Sequence, residues 1–234
     1  YLLEFKYMLR ATPLVGGEAY HIYNRGATKQ KIFFDDADYR RFLALIFVGN
    51  NTESIHLSNL RKYQGPSLTR VFEESIDHAL VGIYAYSLMP NHFHLVLQQK
   101  TDDGITRFAK RVCTAYSMYF NLKYNHSGTL FQGRFKSNHL DTDPYFKWIF
   151  PYIHLNPVSI REPQWQEKGI SNPARAKEFL KNYQYSSYYD YYVGERPERA
   201  ILAYDEAADL LDKESDIQDM LATYAKGRVL YSSA

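Results

Sequence analysis

Only one cysteine, Cys113, occurs in the 234-residue chain. An intramolecular disulfide and a multi-cysteine zinc cluster are thereby excluded, and the usage fits a reducing cytoplasm. No apolar run is long enough to span a bilayer and no charged-then-apolar leader opens the sequence, so a cytoplasmic protein without a membrane partner is expected. Net charge is scarce too. The 28 Lys and Arg against 26 Asp and Glu leave +2, which by itself says little about nucleic acid. A hydrophobic content of 45% with 23% charged residues excludes general disorder and fits a globular protein with a sizeable core.

Acidic residues are also missing from one stretch. Between Arg107 and Lys136 stand Arg107, Lys110, Arg111, Lys123, Arg134 and Lys136 with no Asp or Glu among them. A local positive field of this kind favours a polyanion, although a solvated helix face has the same look. The two parts of the chain differ as well, residues 1–162 carrying 19 basic against 14 acidic side chains and residues 163–234 carrying 9 against 12.

What is present is organised around Ser87 to Leu97. A β-prone run ending at Leu88 leads through a Pro90-Asn91 turn into His92-Phe-His94. Successive side chains on a strand point to opposite faces, so His92 and His94 share one face while Phe93 and Leu95 share the other. Two imidazoles side by side are half of a metal site; a lone strand histidine is more often a polar residue satisfied by a carbonyl or water. A third imidazole at strand spacing would stand at position 96, and that residue is Val96.

Met89-Pro-Asn-His-Phe-His-Leu-Val96 resembles the HUH motif of the single-tyrosine transposases of small insertion sequences, and most closely their REP-associated branch. Further segments match in order: Tyr20-His-Ile-Tyr-Asn-Arg-Gly26, Ile32-Phe-Phe-Asp-Asp36 with Asp38-Tyr-Arg-Arg-Phe-Leu43, Ser127 to Lys136, and Tyr152-Ile-His-Leu-Asn-Pro-Val158. The resemblance spans roughly residues 19–192. It implies an α+β, ferredoxin-like antiparallel sheet with helices on one face, and a C-terminal helical extension beyond it. It also implies a nucleophile at Tyr152, a metal site completed by Asn156 beside His92 and His94, and action on single-stranded or hairpin DNA by a homodimer.

Local patterning agrees with that order of elements. Ala19 to Arg25 alternates as a strand, placing His21 and Tyr23 on one face and Tyr20 and Ile22 on the other. Asp35 or Asp36 can cap a helix whose core face is Tyr39, Phe42, Leu43 and Ile46. Ile105 onward is amphipathic through Phe120, Leu130 to Leu140 returns as a strand, and Asp143-Pro144 suits a helix start running toward Leu155. A helix over Pro173 to Asn182 precedes the tyrosine cluster 183–192. Its rings are read as packing onto the domain, with stacking on unpaired bases as the other use open to them. Two short acidic helices are expected over Tyr204 to Lys213 and Ile217 to Tyr224. The domain reading is an N-terminal arm over 1–18, a catalytic domain over 19–160 and an extension over 161–234.

Tyr152 and Asn156 stand i, i+4, on one helix face. A phenol with a pKa near 10 is a poor nucleophile at neutral pH, so attack on a phosphodiester needs help at the phosphate. A divalent ion held by His92, His94 and Asn156 would supply it, and mixed imidazole and amide-oxygen ligation suits Mg²⁺ or Mn²⁺. Arg107, Lys110, Arg111, Arg134 and Lys136 are the expected DNA-backbone contacts. Pro151, immediately before Tyr152, either bends the helix or misplaces the nucleophile. Tyr116 and Tyr119 are the fallback nucleophiles. Two rival readings are an inactive, domesticated DNA-binding protein and a metal-dependent phosphohydrolase using water in place of the phenol.

Overall fold

Four strands form one antiparallel sheet in the order β2-β3-β1-β4. The computed structural model describes residues 13–53, 65–76, 78–208 and 222. Its elements run β1 (Ala19–Arg25), α1 (Asp36–Gly49), β2 (Val81–Met89), β3 (His92–Gln99), α2 (Gly104–Tyr124), β4 (Lys136–His139) and α3 (Asp143–Leu155). This βαββαβ order with the first and third strands central is the ferredoxin-like arrangement, and the α+β expectation holds. Beyond it lie α4 (Trp165–Lys168), α5 (Pro173–Asn182), α6 (Tyr188–Tyr192) and α7 (Tyr204–Ala208).

The period-2 pattern decides which face is which. Tyr20 and Ile22 from β1 join Phe93, Leu95 and Leu97 from β3 in the main core, covered by Phe42, Leu43 and Ile46 of α1 and Ile105, Phe108, Val112 and Tyr116 of α2. The opposite face is partly covered as well. Ile149, Phe150 and Ile153 of α3 seat on Ala85, Val96 and Leu140, leaving the histidine end of that face to one side. Val96, the residue that interrupts the histidine alternation, is thus a seat for α3.

α1 begins at a capping box in which the Asp35 side chain accepts from the Asp38 N–H at 3.1 Å and Asp38 accepts from the Asp35 N–H at 3.4 Å. Asp38 is fully buried and also accepts from the Phe34 N–H, Lys123 Nζ and the hydroxyls of Tyr124 and Tyr119. Burial alone would raise its pKa. Lys123, Phe34, Tyr124 and Tyr119 outweigh that and hold the carboxyl below its ordinary value. A folded pKa below the unfolded one means stability that is present above about pH 4 and lost as pH falls through the folded value. Asp38→Asn is therefore expected to cost about 1.5–3 kcal/mol at pH 7, with the gap from the unsubstituted chain closing in acid, as read from urea unfolding at several pH values.

The extension lies against the free edge of β2. Leu88 N–H donates to Tyr185 O at 2.9 Å and Ser187 N–H to Tyr86 O at 3.0 Å, which satisfies an edge that would otherwise be open to pairing. Arg196 then clamps the segment from within, bonding Asp190 Oδ2 at 2.7 Å, the Tyr86 hydroxyl at 3.0 Å and Ser186 O at 2.8 Å. The tyrosine cluster packs as expected. Tyr188 is buried, Tyr183 donates to Leu88 O, and Tyr185 stacks on Tyr39 at 3.9 Å between ring centroids.

Boundaries differ from expectation in places. Thr142 is the N-cap of α3, accepting from the Tyr145 N–H at 3.4 Å, so Asp143 and Pro144 are the first two helical residues. The expected strand from Leu130 is regular only from Lys136, because Gly133, at φ +77°, turns the chain ahead of it. The acidic helix expected from Tyr204 is described to Ala208, and the one expected over 217–224 lies outside the described residues, as does most of the N-terminal arm. Among the described residues no helix is long and apolar enough to cross a membrane.

Candidate active site on the open face of the sheet

The turn between β2 and β3 is held from below. Pro90 O accepts from the Ile32 and Phe33 N–H groups at 2.8 and 3.1 Å, and Asn91 O accepts from the Gly26 N–H at 2.8 Å. Gly26 is required where it stands, since a Cβ there would lie 2.2 Å from Gln30 O. The start of β3 is thereby fixed, and with it the direction of His92 and His94.

Register then assembles one face. His94 lies opposite Tyr23 and Ser87, and His92 opposite Arg25 and Met89. Tyr23 lies opposite Lys136 on its other side, and His21 opposite Asn138. His92 and His94 are 5.0 Å apart between ring centroids. His92 Nδ1 meets Asn91 Oδ1 at 2.6 Å; the oxygen accepts, so that nitrogen carries the proton and Nε2 keeps its lone pair. Burial, opposed by a hydrogen bond with Asn156 and assisted by the Arg25 charge, lowers the His92 pKa to about 4. Burial, with His21 and His92 adding to it, holds His94 well below its ordinary value. Both rings are neutral at pH 7, the state a metal ion requires.

α3 continues through Pro151. The Tyr152 ring stands edge-on to His94 and His21 at 6.2 and 6.5 Å and stacks on Trp148 at 4.6 Å. Its hydroxyl accepts from Gln166 Nε2 at 3.3 Å. Asn156, at the helix end, is buried, and its Nδ2 has no hydrogen-bond partner among the described residues. Its carboxamide meets the His92 ring through a side-chain hydrogen bond. Among the described residues no group of three or more His, Cys, Asp or Glu is placed to hold a metal ion, so any cation here must use a donor such as Asn156. Two neutral imidazoles and the carboxamide that meets His92 are a donor set that fits Mn²⁺ or Mg²⁺.

The expected DNA contacts are dispersed. Lys136 lies on the histidine face and is exposed. Lys110 and Arg134 line a cavity of about 880 Å³ between α2 and the 133–135 segment. Arg111 donates to the carbonyls of Asn51 and Thr52, and Arg107 to Thr52 O at 3.3 Å. Tyr116 and Tyr119 lie on the α1/α2 side of the sheet, donating to Ile32 O and Asp38. Burial pushes the Tyr119 pKa up to about 12, and neither phenol meets the histidines.

Sequence reasoning assigned no role to His21, Arg25, Trp148 or Gln166. Strand alternation had already put His21 on the face of Tyr23, and that was the available signal. Gln166, ten residues beyond Asn156 and on a different helix, carried none.

Ferredoxin-like topology with paired imidazoles and a phenol on the sheet's open face defines the class. The family model for IS200-like transposases matches residues 19–156. The chain belongs to that family, and its coarse function is that of a transposase, a protein that binds and rearranges DNA. A solved structure described as a REP-associated tyrosine transposase bound to a REP hairpin is similar at 12% identity with a TM-score of 0.46, covering 78% of this chain and 84% of that one. No curated protein matches the chain.

Proposed function

We propose that the chain is a REP-associated type of single-tyrosine transposase that cuts and rejoins single-stranded DNA at hairpin-bearing ends. The observation that carries this reading is the position of the Tyr152 ring, edge-on to His94 and His21 from a helix on the far side of the sequence. Tyr152 Oη attacks the scissile phosphorus as the P–O3′ bond breaks. The phenolic proton passes to solvent, the departing 3′ oxygen takes one up, and DNA is left joined through a 5′-phosphotyrosine. Attack by another 3′-hydroxyl on that ester frees Tyr152 and joins new ends, so no outside energy source is needed.

His92, His94 and Asn156 would hold Mn²⁺ or Mg²⁺, whose chemistry is to polarise a non-bridging phosphate oxygen and stabilise the charge developing there. Gln166 holds the Tyr152 hydroxyl, and Trp148 holds its ring, so the nucleophile enters the site with few rotamers to lose. Lys136 and Arg25, beside the histidines on the same face, are placed to meet the flanking phosphates. Arg107, Lys110, Arg111 and Arg134 would contact the DNA away from the scissile bond. The protein would act in the cytoplasm as a homodimer on paired ends.

The test incubates the full chain with hairpin-bearing single-stranded DNA and Mn²⁺ and resolves the products on a denaturing gel. A covalent protein–DNA band is expected. Binding without that band points to an inactive DNA-binding protein, and cleavage without it to hydrolysis by water.

A further inference from the structure

His21 Nε2 and His94 Nδ1 are 2.8 Å apart, and both side chains are buried, at 5% and 8% exposure. Their rings lie near-parallel, 22° between planes and 5.0 Å between centroids. One nitrogen of this contact must carry the proton and the other must offer the lone pair. The two arrangements have opposite consequences. If His21 donates, His94 keeps its proton on Nε2 and both of its nitrogens are spoken for. If His94 Nδ1 donates, its Nε2 is a bare lone pair on the face shared with His92 and Tyr152.

We propose that His21 is a positioning residue that accepts from His94 Nδ1–H, fixing the tautomer and ring angle in which His94 Nε2 is free to ligate a divalent cation. The inference rests on the metal reading given above and names what sets its geometry. Asn91 Oδ1 does the same for His92, accepting from its Nδ1–H at 2.6 Å. Both imidazoles of the pair would then present the same nitrogen to one point, each held from behind by a neutral acceptor. Such outer partners of ligating imidazoles govern metal affinity by about 10–100-fold. A packing role does not require a polar ring here. The neighbouring positions on that face of the sheet, Val96 and Ala85, are apolar and fully buried, and burying an imidazole is unfavourable unless its nitrogens are bonded.

Two measurements test it on the full chain. Long-range ¹H–¹⁵N spectra of the ¹⁵N-histidine-labelled, metal-free protein should show His94 protonated at Nδ1 and bare at Nε2. A His94 found with its proton on Nε2 overturns the proposal. Mn²⁺ uptake, followed by the EPR signal of the free ion, should weaken about 10–100-fold in His21→Phe and recover most of the loss in His21→Gln, whose amide oxygen can accept from the same N–H. Equal uptake by His21→Phe and the unsubstituted chain overturns the role of His21 alone. No uptake by the unsubstituted chain overturns the metal reading itself and this role with it. Should His21→Phe fail to fold, the tautomer measurement and His21→Gln still decide the matter.

Discussion

Tyr152→Phe is expected to bind hairpin DNA as the unsubstituted chain does and to form no covalent adduct, a loss of about 10⁴-fold or more in adduct formation. The substitution removes one oxygen and little else. The ring keeps its stack on Trp148 and its edge contacts with His21 and His94, and among the described residues the only hydrogen bond lost is the 3.3 Å contact from Gln166. Tyr152 is half-buried, so Gln166 can turn to solvent and the fold should lose less than about 1 kcal/mol. No other tyrosine should substitute. Tyr116 and Tyr119 face the α1/α2 core across the sheet, and Tyr116 is fully buried with its hydroxyl donating to Ile32 O. Tyr23 is another phenol on the same face. It stacks toward His94 at 5.9 Å but sits on a strand, where it cannot take the helix-borne approach of Tyr152. A gel-shift titration beside a denaturing gel separates binding from adduct formation.

His92→Ala and His94→Ala carry the second large effect, an expected fall of about 10²–10³-fold in adduct yield at fixed Mn²⁺. The two variants should differ in character. His92 is half-buried, and its loss frees Asn91 Oδ1 and one contact of Asn156, so raised Mn²⁺ should restore part of the activity. His94 is buried against His21, and its removal opens a void and leaves His21 Nε2 without its partner. His94→Ala should therefore also unfold more easily, by about 1–3 kcal/mol in urea, and recover less with added Mn²⁺. Adduct yield against Mn²⁺ concentration, paired with an unfolding curve for each variant, distinguishes the two patterns.

How much of this was legible in the sequence follows from which interactions are local. The alternation His92-Phe93-His94 fixes the faces of β3 without help from elsewhere and holds in the fold, and the Tyr152 to Asn156 spacing reads as one helix face, with Asn156 standing as the C-cap of α3. Pro151 left two outcomes open because a missing N–H and ring clash disfavour an interior helix proline; the helix continues through it, with Ile149, Phe150 and Ile153 packed on the sheet, a contact that no local pattern announces. Contacts set by distant chain segments were not legible. Arg107 and Arg111 read as DNA-backbone contacts, and the carbonyls that receive them in the fold, at Asn51 and Thr52, come from just beyond the far end of α1. His21 looked like one polar residue on an alternating strand. Only the β1–β3 register brings its Nε2 onto His94. Likewise the apolar pattern of α3 does not show where that helix lands; the expectation that it meets the histidines came from the family resemblance alone.

The covalent mechanism turns on which residue takes the DNA. Nuclease trimming of the covalent complex, followed by proteolysis and tandem mass spectrometry, reads this in one experiment. A nucleotide mass on the peptide carrying Tyr152, with fragment ions placing it on that side chain, is the predicted result. The same mass on Tyr23, Tyr116 or Tyr119, or DNA cleaved with no modified peptide, would contradict it.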